Sequence, residues 1–193
     1  HDYHIHLLSI LGVFNKKNNL FIDPINFFQK NHETENKWIE KLKKYSSIKI
    51  GINCNTSLLK KNIPINMFTE LASNFKFNFI ILQKEFDIKQ IKEFKNILYF
   101  EEMDASEHAF IDSIEIIKQL DLVITADTSI AHLAATLGVK TWIPLPFVSD
   151  WRWFLKKNKT KWYDNVTLFR SKKNDNWDSS FKQIKDQLNK NFN

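Results

Sequence analysis

The residues with the clearest chemical potential form one short stretch, Asp127-Thr128-Ser129, which directly follows the apolar run 121–125. Asp, Thr and Ser are favoured residues at the start of a helix. The free N–H groups of a first helical turn, with the positive end of the helix dipole behind them, bind phosphate groups. His132 lies one turn further along and can face the same cleft. The competing interpretation is an ordinary capped turn with a packed core histidine.

Alternating helices and strands would position this stretch. Apolar spacing predicts helices at 33–45, 65–75, 87–95, 107–120, 128–137 and 177–191. Short apolar runs predict strands at 48–55, 77–83, 97–100, 121–125, 139–144 and 166–169. Apolar strands between helices are typical of a parallel sheet covered on both faces. The sequence therefore predicts an α/β, Rossmann-like, doubly wound parallel sheet over about 47–193, with ligands at the carboxyl ends of its strands.

Three further residues are candidates for ligand contacts at those strand ends. Glu85 could accept hydrogen bonds from a ribose, and Met103 could pack on a nucleobase because a thioether adapts to a flat ring. A surface glutamate and a methionine packed on the domain itself are the alternatives. Arg152 is one of only two arginines and lies in DWRW at 150–153. Its planar guanidinium suits a diphosphate or a sugar, and a structural salt bridge is the alternative.

Composition excludes several classes of protein. The 193 residues fit one large domain or one domain plus a fragment, and the single cysteine, Cys54, excludes a disulfide framework. The 28 basic residues exceed the 22 acidic ones, but 26 are lysine, so we interpret the charge as compositional drift and solvated surface. No apolar run is long enough to span a membrane, and no nucleic-acid-binding signature is present. His1, His4 and His6 lack partners for a metal site, and a start at His1 is typical of an excised piece of a longer chain.

Several motifs occur together in a known group of enzymes: DTSIAHLAATLGVKTWIPLP at 127–146, DWRW at 150–153, KWYDNVTLFR at 161–170 and NW at 176–177. With them the chain resembles bacterial GT-B-fold glycosyltransferases of the heptosyltransferase-like group, often fused to tetratricopeptide repeats. The resemblance implies the C-terminal, donor-binding half of a GT-B fold. Residues 1–46 would be the end of an incomplete N-terminal domain plus a connecting helix, and 47–193 the sugar-nucleotide-binding domain.

The same resemblance implies which residues hold the donor. The diphosphate would be bound by Asp127, Thr128, Ser129, Ile130, His132, Arg152 and Lys61. Asn55 and Thr56 would lie in the loop after the first strand, on the phosphate side. Glu85 and Met103 would then contact the nucleoside. Where many relatives carry Arg-Ser, this chain has Lys61-Asn62. The catalytic base of related inverting enzymes usually lies in the other domain, so no base is assigned.

The implied reaction is transfer of a sugar from a nucleoside diphosphate sugar to an acceptor hydroxyl or a protein side chain. The implied partners are the nucleotide sugar and a glycan, lipid or protein acceptor, in the cytoplasm, with no metal, cofactor or nucleic acid. A catalytically inactive module that binds nucleotide, sugar or a partner is the alternative. A basic nucleic-acid-binding domain is a third and less favoured interpretation.

Overall fold

Six parallel strands form one sheet in the computed structural model, which describes residues 32–56, 61–105, 110–155, 157–173 and 176–192. The strands are β1 Lys49–Asn53, β2 Asn78–Ile81, β3 Ile97–Leu98, β4 Leu122–Thr125, β5 Thr141–Leu145 and β6 Val166–Arg170. The helices are α1 His32–Lys43, α2 Ile65–Asn74, α3 Ile111–Ile117, α4 Ser129–Thr136 and α5 Asp178–Phe192. Single 3-10 turns occur at Ile88–Ile91 and Trp151–Trp153.

The strand order, β3-β2-β1-β4-β5-β6, places the point where the chain reverses its direction of winding between β1 and β4. In open parallel sheets this point carries the ligand crevice, at the carboxyl ends of the strands. The α/β, Rossmann-like, doubly wound fold is therefore confirmed. The residues that follow β1, β2 and β4 are the ones that this topology brings together.

The central strand β1 pairs with β2 on one side and β4 on the other, with Gly51 opposite Ile80 and Val123. A Cβ added at Gly51 would lie 2.6 Å from side-chain atoms of Leu82 and Leu120. Glycine therefore lets both leucines pack directly on the central strand. All four residues of β4 are buried, as an apolar strand covered on both faces requires.

Separate hydrophobic clusters lie against the sheet. One contains Phe68 of α2 and Phe181 of α5, whose rings meet edge to face at 5.2 Å. Another contains Trp38 of α1, which has no exposed surface and packs edge to face on Phe100 at 5.3 Å. Helix α1 is thus docked on the Rossmann-like sheet. Residues 1–31 lie outside the described residues, and the division at 46/47 stays a prediction.

The start of α3 is fixed by two buried carboxylates. Asp104 Oδ1 accepts hydrogen bonds from the backbone N–H groups of Asp112 (3.0 Å) and Ser113 (3.3 Å). Asp112 Oδ2 accepts one in return from the backbone N–H of Asp104 (2.9 Å). Such reciprocal capping satisfies helix donors that would otherwise be unpaired. Phe110 has a left-handed backbone with φ of 69°, so the described part of the predicted helix 107–120 begins after it.

Two further predicted elements are wrong in length or type. The predicted helix 87–95 is only the 3-10 turn Ile88–Ile91, where Asp87 accepts a hydrogen bond from the Lys89 N–H (3.1 Å). The predicted strand 97–100 has two paired residues, Ile97 and Leu98. Along the described ranges, no helix combines the length and the apolar character needed to cross a membrane.

Candidate functional site

A cavity of about 560 Å³ opens at the carboxyl ends of β1, β2 and β4. Six of the sequence-predicted site residues line it: Asn55, Thr56, Asp127, Thr128, Ser129 and Ile130. The lining also includes residues that the sequence analysis missed, namely Asn53, Leu82, Gln83, Lys84, Asp104, Phe110 and Ser113. The fold therefore brings the loop after β1 and the turn before α4 to one opening.

The first turn of α4 lies at the edge of this cavity. Thr128 is extended (φ −139°, ψ 177°) and makes no side-chain capping bond to the helix. Its Oγ1 instead accepts a hydrogen bond from Asn53 Nδ2 at 3.0 Å. Asn53 is 5% exposed, and its Oδ1 is buried without a partner among the described residues. Asn53 of β1 thus holds the first turn of α4 in place. Because the Thr128 side chain bonds to Asn53 and not to the helix, it leaves the backbone N–H groups of that turn uncapped.

Lys61 forms an ion pair with Asp127, a residue of the cavity lining, with 3.1 Å between Nζ and Oδ2. Their side chains are 25% and 13% exposed, so both charges are partly desolvated. Although 66 residues apart in sequence, they connect the loop after β1 to the turn before α4. A cation and the amino end of a helix are therefore adjacent, which is the arrangement that favours a bound anion.

Two amide side chains shape the loop after β1. Gln83 Oε1 accepts hydrogen bonds from the backbone N–H groups of Cys54 (3.1 Å) and Asn55 (3.2 Å). Asn62 Oδ1 accepts one from the Thr56 N–H at 2.7 Å. In the sequence, the position of Gln83 as a polar residue at the end of an apolar strand was the signal that could have identified it.

The single cysteine, Cys54, is buried at the end of β1. It is 5% exposed, and burial raises the pKa of its thiol to about 11, so it packs as a small apolar side chain.

His132 lies one turn inside α4 and is held by two aromatic residues. Its Nδ1 is 3.1 Å from the Tyr163 hydroxyl, and its ring stacks on Trp153 with centroids 5.3 Å apart. Burial lowers the pKa of His132, and the charges of Asp127 and Arg152 act on it in opposite directions. The imidazole is therefore neutral at pH 7. The contact with Trp153 places the ring against the DWRW segment at 150–153.

Arg152 is paired with Asp150, whose Oδ1 lies 2.9 Å from Nη1. The same oxygen accepts a hydrogen bond from the Arg152 backbone N–H at 3.0 Å. Burial alone would raise the pKa of Asp150. The hydrogen bonds from Arg152 and the positive charge of Lys61 outweigh the effect of burial, so the pKa of Asp150 is lowered. Arg152 lies in the 3-10 turn at 151–153 and its partner Asp150 caps that turn, so both belong to the loop after β5.

The second arginine, Arg170, has a structural role. Its guanidinium donates to the carbonyls of Lys157 (3.0 Å) and Phe154 (2.9 Å), and also to the Ser149 hydroxyl (2.8 Å). A further bond reaches the Trp153 carbonyl at 2.5 Å. Arg170 thus fastens the loop after β5 to the end of β6.

The two residues predicted to contact the nucleoside are not in this cavity. Glu85 is exposed and lines a neighbouring cavity of about 650 Å³ together with Asn55 and Asn62. Met103 is 1% exposed and belongs to the core cluster of Trp38 and Phe100, so it packs within the domain. Phe110, 40% exposed at the first cavity, is the aromatic side chain available there. Within the described ranges no three His, Cys, Asp or Glu side chains are grouped to hold a metal ion.

The buried, neutral His132 predicts a pH-dependent stability. Above a pH of about 6.5 the ring is neutral in both the folded and unfolded chain and contributes no pH dependence. Below it, the unfolded chain takes up a proton that the folded chain resists, so stability falls as pH falls through this range. His132→Gln should lose less stability than the wild type between about pH 7 and about pH 5. Parallel loss in urea titrations of both proteins would contradict this.

No protein-family profile matches the chain, and no curated protein matches it. Solved structures do match. Heptosyltransferase II of E. coli superposes with a TM-score of 0.62 at 13% identity, covering 84% of this chain and 52% of that one. The E. coli heptosyltransferase WaaC with ADP superposes with a TM-score of 0.56 at 11% identity, covering 86% of this chain and 49% of that one. A family 9 glycosyltransferase from Veillonella parvula superposes with a TM-score of 0.57 at 12% identity, covering 84% of this chain and 45% of that one.

The chain has a heptosyltransferase-like fold. At these identities the likeness shows the fold alone, and it supports the GT-B expectation drawn from the sequence motifs. The chain spans about half the length of the structures it matches. In a heptosyltransferase-like fold of this extent, the cavity at the ends of β1, β2 and β4 is the candidate site within the described residues.

Proposed function

We propose that this chain is the donor-binding part of a glycosyltransferase, which transfers a sugar from a nucleoside diphosphate sugar to an acceptor hydroxyl or a protein side chain. The observation that carries the proposal is the Lys61–Asp127 pair beside the uncapped first turn of α4, at the switch point of the sheet. Two of the matched structures are of the E. coli heptosyltransferase WaaC, one with ADP and one with ADP-2-deoxy-2-fluoro heptose. They support a nucleoside diphosphate as the ligand class.

In this proposal the diphosphate accepts hydrogen bonds from the amides of Ser129 and Ile130. Lys61 exchanges Asp127 for a phosphate oxygen, and Arg152 approaches from the loop after β5. When the acceptor oxygen attacks the anomeric carbon, the bond from that carbon to the phosphate oxygen breaks and negative charge grows on the departing diphosphate. Fixed donors aimed at that charge lower the barrier, by about 2.7–4 kcal/mol for each well-placed donor. The 560 Å³ cavity beside the turn would take the nucleoside.

The rest of the proposed enzyme lies outside these residues. The acceptor, whether a glycan, a lipid or a protein, and the catalytic base would belong mainly to the other half of the GT-B fold. A tetratricopeptide-repeat region in the same parent chain and a cytoplasmic location, where sugar nucleotides are found, belong to the proposal as well. No cofactor is required, because amides and cations would supply the charge stabilisation.

Calorimetric titration of the purified chain with UDP, ADP, GDP and dTDP tests the proposal. Saturable binding of one nucleotide is expected, together with its loss in a Lys61→Ala/Arg152→Ala double variant. A Lys182→Ala/Asp186→Ala variant, altered at two exposed positions of α5, should bind like the wild type. The absence of binding at millimolar nucleotide would contradict donor binding by this chain and favour an inactive partner-docking module. Sugar transfer by the chain, alone or with its other half supplied, would exclude that alternative.

A further inference from the structure

The loop after β5 carries an unusual concentration of exposed apolar side chains. Across the described residues, six large apolar side chains are at least 40% exposed, and four of them lie between 147 and 155. These are Phe147 (57%), Val148 (80%), Trp151 (50%) and Leu155 (78%). Single exposed apolar residues are ordinary, but a contiguous group marks an interaction surface.

The net positive charge of the chain is confined to the same region. Residues 146–173 contain eight basic and two acidic residues, and the rest of the chain contains 20 of each. The whole net charge of +6 therefore lies in this segment. Compositional drift toward lysine would spread an excess along the chain, so drift, our interpretation from the sequence, does not account for this distribution.

The hydrogen bonds of Arg170 bring the basic and apolar residues to one place. Its guanidinium donates to the carbonyls of Phe154 and Lys157, on either side of Leu155 in sequence. It also donates to the hydroxyl of Ser149, which directly follows Phe147 and Val148. Lys172 and Lys173 follow Arg170 directly and are exposed, as is Lys157. We call the surface formed by Phe147, Val148, Leu155, Lys157, Lys172 and Lys173 the basic-apolar surface.

We infer that the basic-apolar surface docks the protein on an anionic lipid bilayer, with the apolar side chains entering the acyl boundary and the lysines contacting lipid headgroups. The cores of protein–protein interfaces are depleted in charge and especially in lysine. Membrane-surface contacts instead combine exposed apolar side chains with lysine, whose long stem lies on apolar surface while its charge meets the headgroups. The half-exposed Trp151 beside these residues fits the boundary between headgroups and acyl chains. This inference does not depend on the proposed transferase activity.

Vesicle cosedimentation tests it. The wild-type chain should sediment with phosphatidylcholine vesicles containing about 30% phosphatidylglycerol, and not with pure phosphatidylcholine, because anionic headgroups supply much of the attraction. Lys157→Gln/Lys172→Gln/Lys173→Gln should weaken partitioning about a hundredfold, at about fivefold for each lysine. Val148→Ser/Leu155→Ser should weaken it by about tenfold or more, because less apolar area is buried.

A triple variant at the other end of the sheet, Lys89→Gln/Lys92→Gln/Lys95→Gln, is the matched control, because these three lysines are also exposed. It should change partitioning less than about threefold, since only charges near the bilayer act on it. Nucleotide titration of every variant should match the wild type, which separates lipid docking from the donor site. The inference is overturned if the wild type does not sediment with anionic vesicles, which is the result expected for a surface that binds an acidic protein. It is equally overturned if the control triple weakens partitioning as much, or if the serine variant partitions like the wild type.

Discussion

Alanine at Lys61 is expected to weaken nucleoside diphosphate binding by about ten- to a hundredfold, the equivalent of about 1.5–3 kcal/mol for a hydrogen bond to a charged group. The change removes the cation that would meet the phosphates. It also leaves the carboxylate of Asp127, only 13% exposed, without its partner 3.1 Å away. That uncompensated negative charge lies where the diphosphate must enter, so both consequences lower the affinity.

Lys61→Arg and Lys185→Ala make the Lys61 experiment specific. Arginine keeps the charge and offers paired donors to a phosphate, so Lys61→Arg should bind at least as tightly as the wild type. Lys185 of α5 also has a carboxylate partner, Glu70 of α2 at 3.7 Å, but this ion pair lies between two helices and outside the cavity lining. Lys185→Ala should leave calorimetric affinity unchanged. If Lys61→Ala bound like the wild type, Lys61 would serve only to neutralise Asp127.

Trp38→Ala is expected to destabilise the folded chain by about 3–5 kcal/mol, the range for emptying a large buried aromatic site. Trp38 has no exposed surface, packs on Phe100, and donates a 2.5 Å hydrogen bond from Nε1 to Asp112. Trp38→Phe keeps most of the ring but loses that donor, and should cost about 1–3 kcal/mol. Asp112 retains its contact with Lys37 at 3.3 Å in that variant.

Urea titration followed by both fluorescence and circular dichroism measures these differences, and coincident transitions establish that a single free energy describes unfolding. Trp151→Ala is the control, because half of this indole already lies in solvent and its removal should cost clearly less than Trp38→Ala. A loss in Trp38→Ala no larger than the loss in Trp151→Ala would contradict the role of Trp38 in holding α1 on the sheet.

Periodicity and strand composition were sufficient to predict the architecture. The apolar runs that became β1, β2, β4, β5 and β6 are each bounded by helical or loop residues, which leaves few alternatives to a covered parallel sheet. The weaker elements were not predictable in this way. Residues 87–95 have helical spacing, yet Asp87 begins a 3-10 turn that ends at Ile91. The start of α3 depends on reciprocal bonds between Asp104 and Asp112, which local patterns do not reveal.

The candidate site was predictable as a set of residues but not as a geometry. The capping chemistry of Asp127 to Ser129 could be read locally, since it depends on adjacent residues. The pairing of Lys61 with Asp127 spans 66 residues and follows from β1 lying next to β4. The roles of Asn53 and Gln83 depend on the same adjacency of strands. Met103 follows β3 as a ligand-contacting residue would, but its side chain turns into the core, which strand order alone cannot predict.

The place of β1 at the centre of the sheet has a consequence for the nascent polypeptide. Its second neighbour, β4, begins 41 residues after the end of β2. At about 5–20 residues per second, translation needs roughly 2–8 s to supply it. Throughout that interval one side of β1 has an unpaired row of backbone donors and acceptors, which is a template for joining another chain. Self-association is therefore a hazard of the growing chain on the ribosome, and a chaperone that shields this row should raise the yield of native protein.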